Sequence, residues 1–282
     1  MKRFTLWSAV FILLTFSVAF ARTFSKTEVK TFDISPNGKV LVENVNGNVK
    51  VESWDKNQVL VEVTKTVKAD DQEDADEYFG KARVEINNGR DYLEIRTRYP
   101  YGESWSGFWH WLFHGGSMNP NVDYVMKVPS TIKLDAGSTN GNLVIHSVVG
   151  EVKAHSTNGN VEVDSAIGGV DAYSTNGRLN LNNVGGAING STTNGSITAA
   201  IFDATEFLGM KLETTNGSIR VYCSENLNAD VSAQTTNGGV RTEMPVTVQG
   251  EFGRKSFEGK LNKGGASMYL RTTNGSIELD KR

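Results

Sequence analysis

The sequence predicts an all-β protein, a single-stranded β-solenoid built from 18-residue coils with a β capping region at its N-terminal end. Three observations support this prediction. A four-residue motif, Ser or Thr followed by Thr-Asn-Gly, occurs seven times between residues 138 and 275. Short runs with an apolar residue at every second position flank the motif, which is typical of half-buried strands. No helical period is present from residue 122 onward.

The spacing of the motif distinguishes two architectures. The motif asparagines lie 18, 18, 18, 22, 21 and 37 residues apart; they are Asn140, Asn158, Asn176, Asn194, Asn216, Asn237 and Asn274. Asn-Gly is a strong hairpin signal, so one possibility is an up-and-down meander. A constant period with like residues at like positions favours the second, a solenoid whose coils stack in parallel. In a solenoid the seven asparagines form a structural ladder of bonded amides.

Each predicted coil has two short strands. One follows Asn-Gly and carries Val, Leu or Ile, as in Val161 and Val163; the other precedes the motif and carries small residues, as in Ala154 and Ser156. Large residues facing small ones fill a flattened coil without voids. The 37-residue interval is close to two periods, so residues 243–265 are expected to hold a coil without the motif, together with an insertion.

Residues 22–134 are predicted to form a broader β region that caps the stack, whose open edge strands would otherwise invite aggregation. Asn46-Gly47 is an imperfect eighth copy of the motif, with Val45 in place of Thr. Residues 68–82 are acidic and lack strand alternation, which predicts a short exposed helix or loop with a solvated face. The acids lack the spacing of a calcium loop. The repeat region is assigned to residues 135–282.

Residues 1–21 are predicted to be a cleaved signal peptide. Lys2 and Arg3 precede an apolar run over residues 4–20, and Ala19 and Ala21 stand at the −3 and −1 positions of a cleavage site. The alternative is an uncleaved anchor, for which the run is of marginal length. Without a second apolar run of that length, no stable membrane span is expected after cleavage. The expected location is the periplasm, the cell surface or the extracellular space.

Composition limits the classes of partner and of stabilising bond. The formal net charge is −3 and no basic stripe is present, so a nucleic-acid partner is not expected. The only cysteine is Cys223, which excludes an internal disulfide. Cys223 lies in a strand-like run, and we expect it to be a small buried apolar residue.

The order of these features resembles a known family. Phe32 and Ile34 form an opening Phe-x-Ile strand, followed by VENVNGNVKVESWDKNQVLVEV, a Val-Pro at Pro129 and serial Thr-Asn-Gly units. This combination resembles the bacterial DUF4097 family, described as β-strand-repeat proteins or adhesins. The resemblance covers residues 30–280 and implies a β-solenoid outside the cytoplasm. It supplies no catalytic or ligand-binding motif.

Candidate chemistry is sparse. His110 and His114 have the spacing of two ligands on one helix face but lack the Glu of the zinc-protease signature and a third ligand, so no metal site is predicted. Glu162 and Asp164 are two nearby carboxylates on one predicted strand, an arrangement that is usually inert. No catalytic residue, cofactor site or nucleophile motif is predicted.

The most unusual segment is residues 99–120, which are crowded with aromatic side chains between two strand regions. One interpretation is a lid that covers the end or side of the solenoid. The other is an exposed surface for a glycan, a protein partner or a membrane interface. The possible contact residues are Tyr101, Trp105, Phe108, Trp109 and Trp111.

Three functional hypotheses follow. The first is an exported, non-enzymatic adhesin, surface or scaffold protein that uses rows of Thr, Ser and Asn on its repeated face. The second is an envelope binding module whose aromatic loop, residues 99–120, contacts a polysaccharide or an envelope protein. The third is a carbohydrate-active enzyme on a β-helix, which would need clustered carboxylates on one face.

Overall fold

A computed structural model describes residues 22–99, 121–201, 203–248 and 253–282. The predicted signal peptide and residues 100–120 of the aromatic segment lie outside these ranges. The first elements are β1 (Arg22–Asp33), β2 (Lys39–Asn46), β3 (Val49–Trp54), β4 (Gln58–Ala69), α1 (Gln72–Lys81), β5 (Arg83–Asn88), β6 (Tyr92–Arg98) and β7 (Asn121–Pro129).

The repeat region supplies the remaining strands. They are β8 (Lys133–Asn140), β9 (Leu143–His146), β10 (Val152–Asn158), β11 (Val161–Asp164), β12 (Val170–Asn176), β13 (Leu179–Val184), β14 (Gly186–Asn194), β15 (Ile197–Ile201), β16 (Phe207–Asn216), β17 (Ile219–Cys223), β18 (Ala229–Asn237), β19 (Val240–Thr242), β20 (Val246–Val248), β21 (Ser256–Leu261), β22 (Ala266–Asn274) and β23 (Ile277–Lys281). The prediction of an all-β protein is confirmed.

The strands form two large sheets. Sheet A has the order β1-β4-β7-β3-β9-β11-β13-β15-β17-β23-β19, and sheet B has the order β20-β21-β18-β22-β16-β14-β12-β10-β8-β2-β6-β5. Each motif-bearing repeat is a two-strand unit: one strand of sheet B ends at the motif asparagine, and one strand of sheet A follows the glycine. Successive units pair in parallel and in register, as β10 and β12 do. The Asn-Gly pairs therefore do not close antiparallel hairpins, and the meander alternative is wrong.

The core lies between the two sheets. Inward positions on sheet A carry branched aliphatic residues such as Val161 and Val163, which have no exposed surface. Inward positions on sheet B vary in size, from Gly190 and Ala154 to Leu212. At Gly190 an added Cβ would lie 2.8 Å from a methyl group of Leu212 and 3.4 Å from one of Leu181. The alternation of large and small residues thus fills a thin core to normal density.

The N-terminal region extends both sheets of the same stack. β1, β4 and β7 continue sheet A beyond β3, while β5 and β6 continue sheet B beyond β2. β2 and β3 form the first two-strand unit, and β8 pairs with β2. Because β8 begins at Lys133, both sheets run without a break across the predicted boundary between residues 134 and 135.

The acidic segment forms a helix. Asp71 caps α1 by accepting a hydrogen bond from the backbone N–H of Asp74 at 3.0 Å. Ala75, Tyr78 and Phe79 are buried. The other face carries the acids, so the helix covers apolar surface with one side and remains solvated on the other.

The C-terminal part corrects one expectation. The predicted additional coil in residues 243–265 is wrong, because β21 pairs with β18 in an antiparallel arrangement and β20 pairs with β21 likewise. Both kinds of pairing give alternation with a period of two, so the sequence pattern cannot separate them. The insertion covers the last unit: the N–H of Val240 donates to the carbonyl oxygen of Arg254 at 3.0 Å.

The last unit in the chain is not the last in the stack. β22 lies between β16 and β18 in sheet B, and β23 lies between β17 and β19 in sheet A. The terminal unit of the stack, β18 and β19, therefore comes earlier in the chain than β22 and β23, the unit that joins it to β16 and β17. The hydrogen bonds of β18 and β19 to the stack depend on the final residues of the described chain.

Cys223 gives a test of the packing at the end of β17. Its side chain is fully buried, and burial raises the pKa of the thiol to about 12. We expect the native protein to react very slowly with an aromatic disulfide reagent at pH 8, since the thiolate is the nucleophile. In guanidinium chloride one thiol per chain should react at once. Rapid stoichiometric labelling of the native protein would contradict the fold at this position.

Candidate functional site

The first residue of each motif closes the corner from inside. Ser156 Oγ donates to the carbonyl oxygen of Gly141 at 2.9 Å, and Ser174 Oγ donates to that of Gly159 at 2.9 Å. The other members of this hydroxyl row, each bonded to a corner glycine of the neighbouring unit, are Ser138, Thr192, Thr214, Thr235 and Thr272. These side chains are buried, so they satisfy the backbone and cannot contact a partner.

The motif asparagines lie in a single row. The Nδ2 of Asn176 donates to Oδ1 of Asn158 at 2.8 Å, and Asn194 donates to Asn176 at 2.8 Å. The complete row, in spatial order, is Asn46, Asn140, Asn158, Asn176, Asn194, Asn216, Asn274 and Asn237. Thus the structure brings all seven predicted ladder residues together, adds Asn46, and places Asn274 before Asn237.

The motif glycines are required by a close backbone contact. A Cβ on Gly177 would lie 1.9 Å from the carbonyl oxygen of Gly159, and one on Gly195 would lie 1.9 Å from that of Gly177. None of the seven motif glycines has a positive φ. The motif glycines are therefore required because adjacent corners approach too closely for any side chain, and not because of a left-handed backbone conformation.

The residue after the glycine forms another row of contacts. Asn142 Oδ1 accepts from the backbone N–H of Asn160 at 2.8 Å, and Asn160 Oδ1 accepts from that of Arg178 at 2.9 Å. Ser196 Oγ accepts from the N–H of Ser218 at 3.3 Å in the same way. These bonds satisfy backbone donors at the corner.

The outward residues at the corner form a continuous polar surface, named here the ladder face. It consists of the middle motif threonines, the motif asparagines and the residues that follow the motif glycines. Its threonines are Thr139, Thr157, Thr175, Thr193, Thr215, Thr236 and Thr273. Within it, an open groove is lined by Asn160, Asn176, Gly177, Arg178, Asn194, Gly195, Ser196 and Asn216. Arg178 is the only charged residue of the ladder face.

The chemistry of the ladder face is hydrogen bonding at a fixed interval. An interior ladder amide uses one N–H and one oxygen lone pair, which leaves a second N–H and a second lone pair for another partner. Each threonine hydroxyl can both donate and accept. Because paired strands are about 4.8 Å apart, donors and acceptors recur at about 4.8 Å along the stack.

The remaining histidines and the predicted carboxylates are dispersed. His146 Nδ1 lies 4.0 Å from Asp164 Oδ2 on the outer face of sheet A, and Asp164 Oδ1 accepts from Ser165 and Asn183. His155 lies on sheet B, in the space left by the missing side chain of Gly137. Within the described ranges, no group of three or more His, Cys, Asp or Glu could hold a metal ion. His110 and His114 lie outside those ranges.

The predicted aromatic contact residues, Tyr101, Trp105, Phe108, Trp109 and Trp111, lie outside the described residues. Of the aromatic segment, Tyr99 is described, and it packs against the core. Burial raises the pKa of Tyr99 and raises that of Tyr124 to about 12. The Tyr124 hydroxyl lies 2.6 Å from Thr97 Oγ1.

Comparison with known proteins identifies the family. The family model described as Toastrack DUF4097 matches residues 37–280. The chain belongs to this family. The match includes the first two-strand unit and every copy of the motif, so the family pattern covers the N-terminal region as well as the repeats.

Solved structures also resemble the chain. One is "a putative cell adhesion protein" from Clostridium sporogenes, with 14% identity, a TM-score of 0.41, and coverage of 92% of this chain and 100% of that one. Another is "a putative adhesin" from Bacteroides fragilis, with 10% identity, a TM-score of 0.44, and coverage of 91% and 97%. A third is a "putative lipid binding protein" from Parabacteroides distasonis, with 9% identity, a TM-score of 0.38, and coverage of 91% and 96%.

Comparison with curated proteins gives no match. Among the helices of the described residues, none has both the length and the apolar character needed to cross a membrane.

The sequence analysis placed Ser156 with Ala154 among the small residues that fill the coil, and the structure confirms that Ser156 is buried. The alternation of inward and outward positions along the strand carried this information. Ser156 is in phase with Val152 and Ala154, which point inward, so Ser156 points inward too. The backbone contact at the glycines had no comparable local signal.

Replacing a central ladder residue tests the amide row. Asn176→Ala removes two side-chain hydrogen bonds and should lower the free energy of unfolding by about 1–3 kcal/mol. Asn237→Ala, at the end of the row, removes one and should lower it by about half as much. Denaturant unfolding measures both. Equal and negligible losses would mean that the amides are ordinary exposed side chains.

Replacing a corner glycine tests the backbone contact. Gly177→Ala should destabilise the protein by about 1–3 kcal/mol or more, because overpacking forces adjacent units apart. Gly80→Ala is the matched control: apart from its chain neighbours and the backbone of its own helix, no atom lies within 4 Å of its added Cβ. As a helical glycine, it should instead gain up to about 1 kcal/mol. A tolerated Gly177→Ala, measured by thermal unfolding, would refute the close-contact explanation.

Proposed function

We propose that this chain is an exported, non-enzymatic β-solenoid that acts as an adhesin, surface or scaffold protein of the bacterial envelope. In this proposal the ladder face is the contact surface. Its partner is an extended, uncharged polymer rich in hydrogen-bonding groups, and neutral polysaccharide is the first class to test. Two of the similar solved structures are named as adhesion proteins and the third as a lipid binding protein.

The observation that carries the proposal is the regular and almost uncharged character of the ladder face. Charged residues are common elsewhere on the outer strands, as in Lys153, Asp171 and Glu213. At the corner, Arg178 is the exception in a field of Thr, Asn and Ser. A surface that repeats the same donors and acceptors binds a polymer through many weak contacts, whose affinities combine by multivalency.

Export is supported by the sequence of residues 1–21, which has the charged, apolar and small-residue regions of a secretory signal. The periplasm and the cell surface are the compartments in which an envelope polymer would be available.

The non-enzymatic part of the proposal is supported by the placement of the carboxylates. Glu162 and Asp164 lie on the outer face of β11 and are partly exposed. Asp164 is engaged by Ser165 and Asn183. Glycoside hydrolysis uses a pair of carboxyl groups held on either side of a bound sugar. A flat outer strand provides no such enclosure.

Co-sedimentation with insoluble neutral polysaccharides and with purified peptidoglycan tests the proposal. Thr193→Lys places a long charged side chain on the ladder face and should weaken binding by about 1 kcal/mol, roughly fivefold. Thr198→Lys is the matched control on the outer face of sheet A and should bind as the native chain does. Equal loss in both variants, or no binding to any polymer, would count against the ladder face.

The aromatic segment supplies the competing hypothesis and an additional arm of the same experiment. Its basis is the concentration of aromatic residues in 99–120. If Trp105→Ala, Trp109→Ala and Trp111→Ala together abolish binding while the protein stays folded, the contact belongs to that segment. If Thr193→Lys alone weakens binding, the ladder face is the contact. Release of soluble sugar from any substrate would overturn the non-enzymatic assignment.

A further inference from the structure

β1 forms the edge of sheet A at the N-terminal end of the stack, and no described strand pairs with its free side. It spans twelve residues, Arg22–Asp33, and none of them is buried. Sheet A continues three strands beyond β3, whereas sheet B continues two strands beyond β2. β1 therefore projects past sheet B and presents a row of backbone N–H and C=O groups without a strand partner among the described residues.

The other three sheet edges are formed by shorter strands. β19 and β20 have three residues each, and β5 has six. Natural sheets protect their edges with very short strands, proline or β-bulges. β1 has none of these: it contains no proline, and it pairs with β4 from Arg22 to Asp33 without a register shift. The longest edge of the two sheets is thus the one without these protections.

β1 does carry charges on its inner side. Glu28 and Lys30 stand opposite the buried residues Val63 and Val61 of β4, and Lys26 follows the same alternation. Inward-pointing charges protect an edge against unselective pairing. On β1, however, the signs alternate along the strand. A partner strand with the matching alternation meets unlike charges, so the charges select one partner and register and exclude others.

A second copy of β1 carries the matching alternation. When two β1 strands pair antiparallel about a two-fold axis at Val29, Glu28 of each copy lies opposite Lys30 of the other. Both side chains are accessible at the edge, with 43% and 52% of their surface exposed. A two-fold axis at Glu28 would instead oppose the two copies of Glu28 and place Lys26 opposite Lys30, which destabilises a strand pair.

The outer side of β1 supplies an apolar contact for the same register. Val29 is 58% exposed, more than any other large hydrophobic side chain in the described part of sheet A. At the axis the two copies of Val29 oppose each other, and Thr27 lies opposite Thr31. Pairs of β-branched residues stabilise opposed strands. A two-fold axis at Thr27 also opposes unlike charges, but it leaves Val29 opposite Ser25.

We propose that β1 is a dimerisation strand, which pairs antiparallel with β1 of a second copy of this chain about a two-fold axis at Val29. Such a contact uses the same surface on both copies and closes at two. The dimer carries two ladder faces, which would strengthen attachment to a polymer through multivalency. Dimerisation itself does not rest on the proposed function.

Sedimentation velocity of the chain without its predicted signal peptide, residues 22–282, tests the dimer. A monomer–dimer equilibrium without larger species is expected. Val29→Lys places two like charges at the axis and should weaken dimerisation about tenfold or more. Val125→Lys, at an exposed valine on the outer face of the interior strand β7, is the matched control and should dimerise normally. A monomer at every concentration, filaments, or equal loss in both variants would overturn the proposal.

Charge reversal tests the register. Glu28→Lys places like charges opposite each other and should weaken dimerisation about tenfold. Adding Lys30→Glu to the same chain restores unlike pairs about the Val29 axis and should recover the original affinity. With an axis at Thr27 the second substitution would restore nothing, so a failed rescue in a folded double variant would refute the Val29 register. Thermal unfolding of each variant monitors the fold.

A cysteine at the axis tests the geometry directly. Opposed residues of an antiparallel pair have Cα atoms about 4.5–5.5 Å apart, within the range of a disulfide. Because the native thiol of Cys223 is buried, mild oxidation should join two chains of Val29→Cys and leave Val125→Cys monomeric. Equal cross-linking of the two variants would contradict the proposed axis. None of these measurements uses a polymer, so their outcomes are independent of polysaccharide binding by the ladder face.

Discussion

The close approach of successive glycine corners is the contact on which the rest of the repeat depends. Each corner glycine lies so near the glycine carbonyl of the adjacent unit that no Cβ would fit: a Cβ added to Gly177 would lie 1.9 Å from the carbonyl oxygen of Gly159. This approach holds the units at the separation of hydrogen-bonded strands. It also brings like residues into line, because the parallel strands on either side of the corner are in register.

The ladders follow from that alignment. A buried hydroxyl, such as that of Ser174, can reach the glycine carbonyl of the neighbouring unit only if the corners are stacked at this distance. The same holds for the amide of Asn176. The hydroxyl bond satisfies a backbone acceptor that would otherwise be buried without a partner. The amide bond instead organises an exposed row, and the ladder face is the outer surface of this arrangement.

The two ends of the stack are finished by different means. At the N-terminal end, sheet A continues into antiparallel strands and a helix covers part of the core, while β1 forms a long edge with charged residues opposite Val61 and Val63. At the other end, β20 and β21 fold back on β18. The second arrangement leaves only short strands at the edges. Because the ends are not constrained by the repeat, their strand order and pairing differ from those of the repeated units.

The amino-acid sequence by itself determined the strand content, the two-strand unit and the row of asparagines. The repeat period and the alternation of inward and outward positions are local properties that recur in every unit. The same alternation also predicts that Ser156 points inward, because it is in phase with Val152 and Ala154. Only the tertiary structure decided that β22 enters the stack before β18, that β20 and β21 pair antiparallel, and that Lys26 faces Lys65. These features depend on contacts between strands far apart in sequence. Inward and outward residues alternate with the same period in parallel and antiparallel strand pairs, so the sequence pattern does not select between them. The selection depends on how the whole chain covers the edge strands of its two sheets.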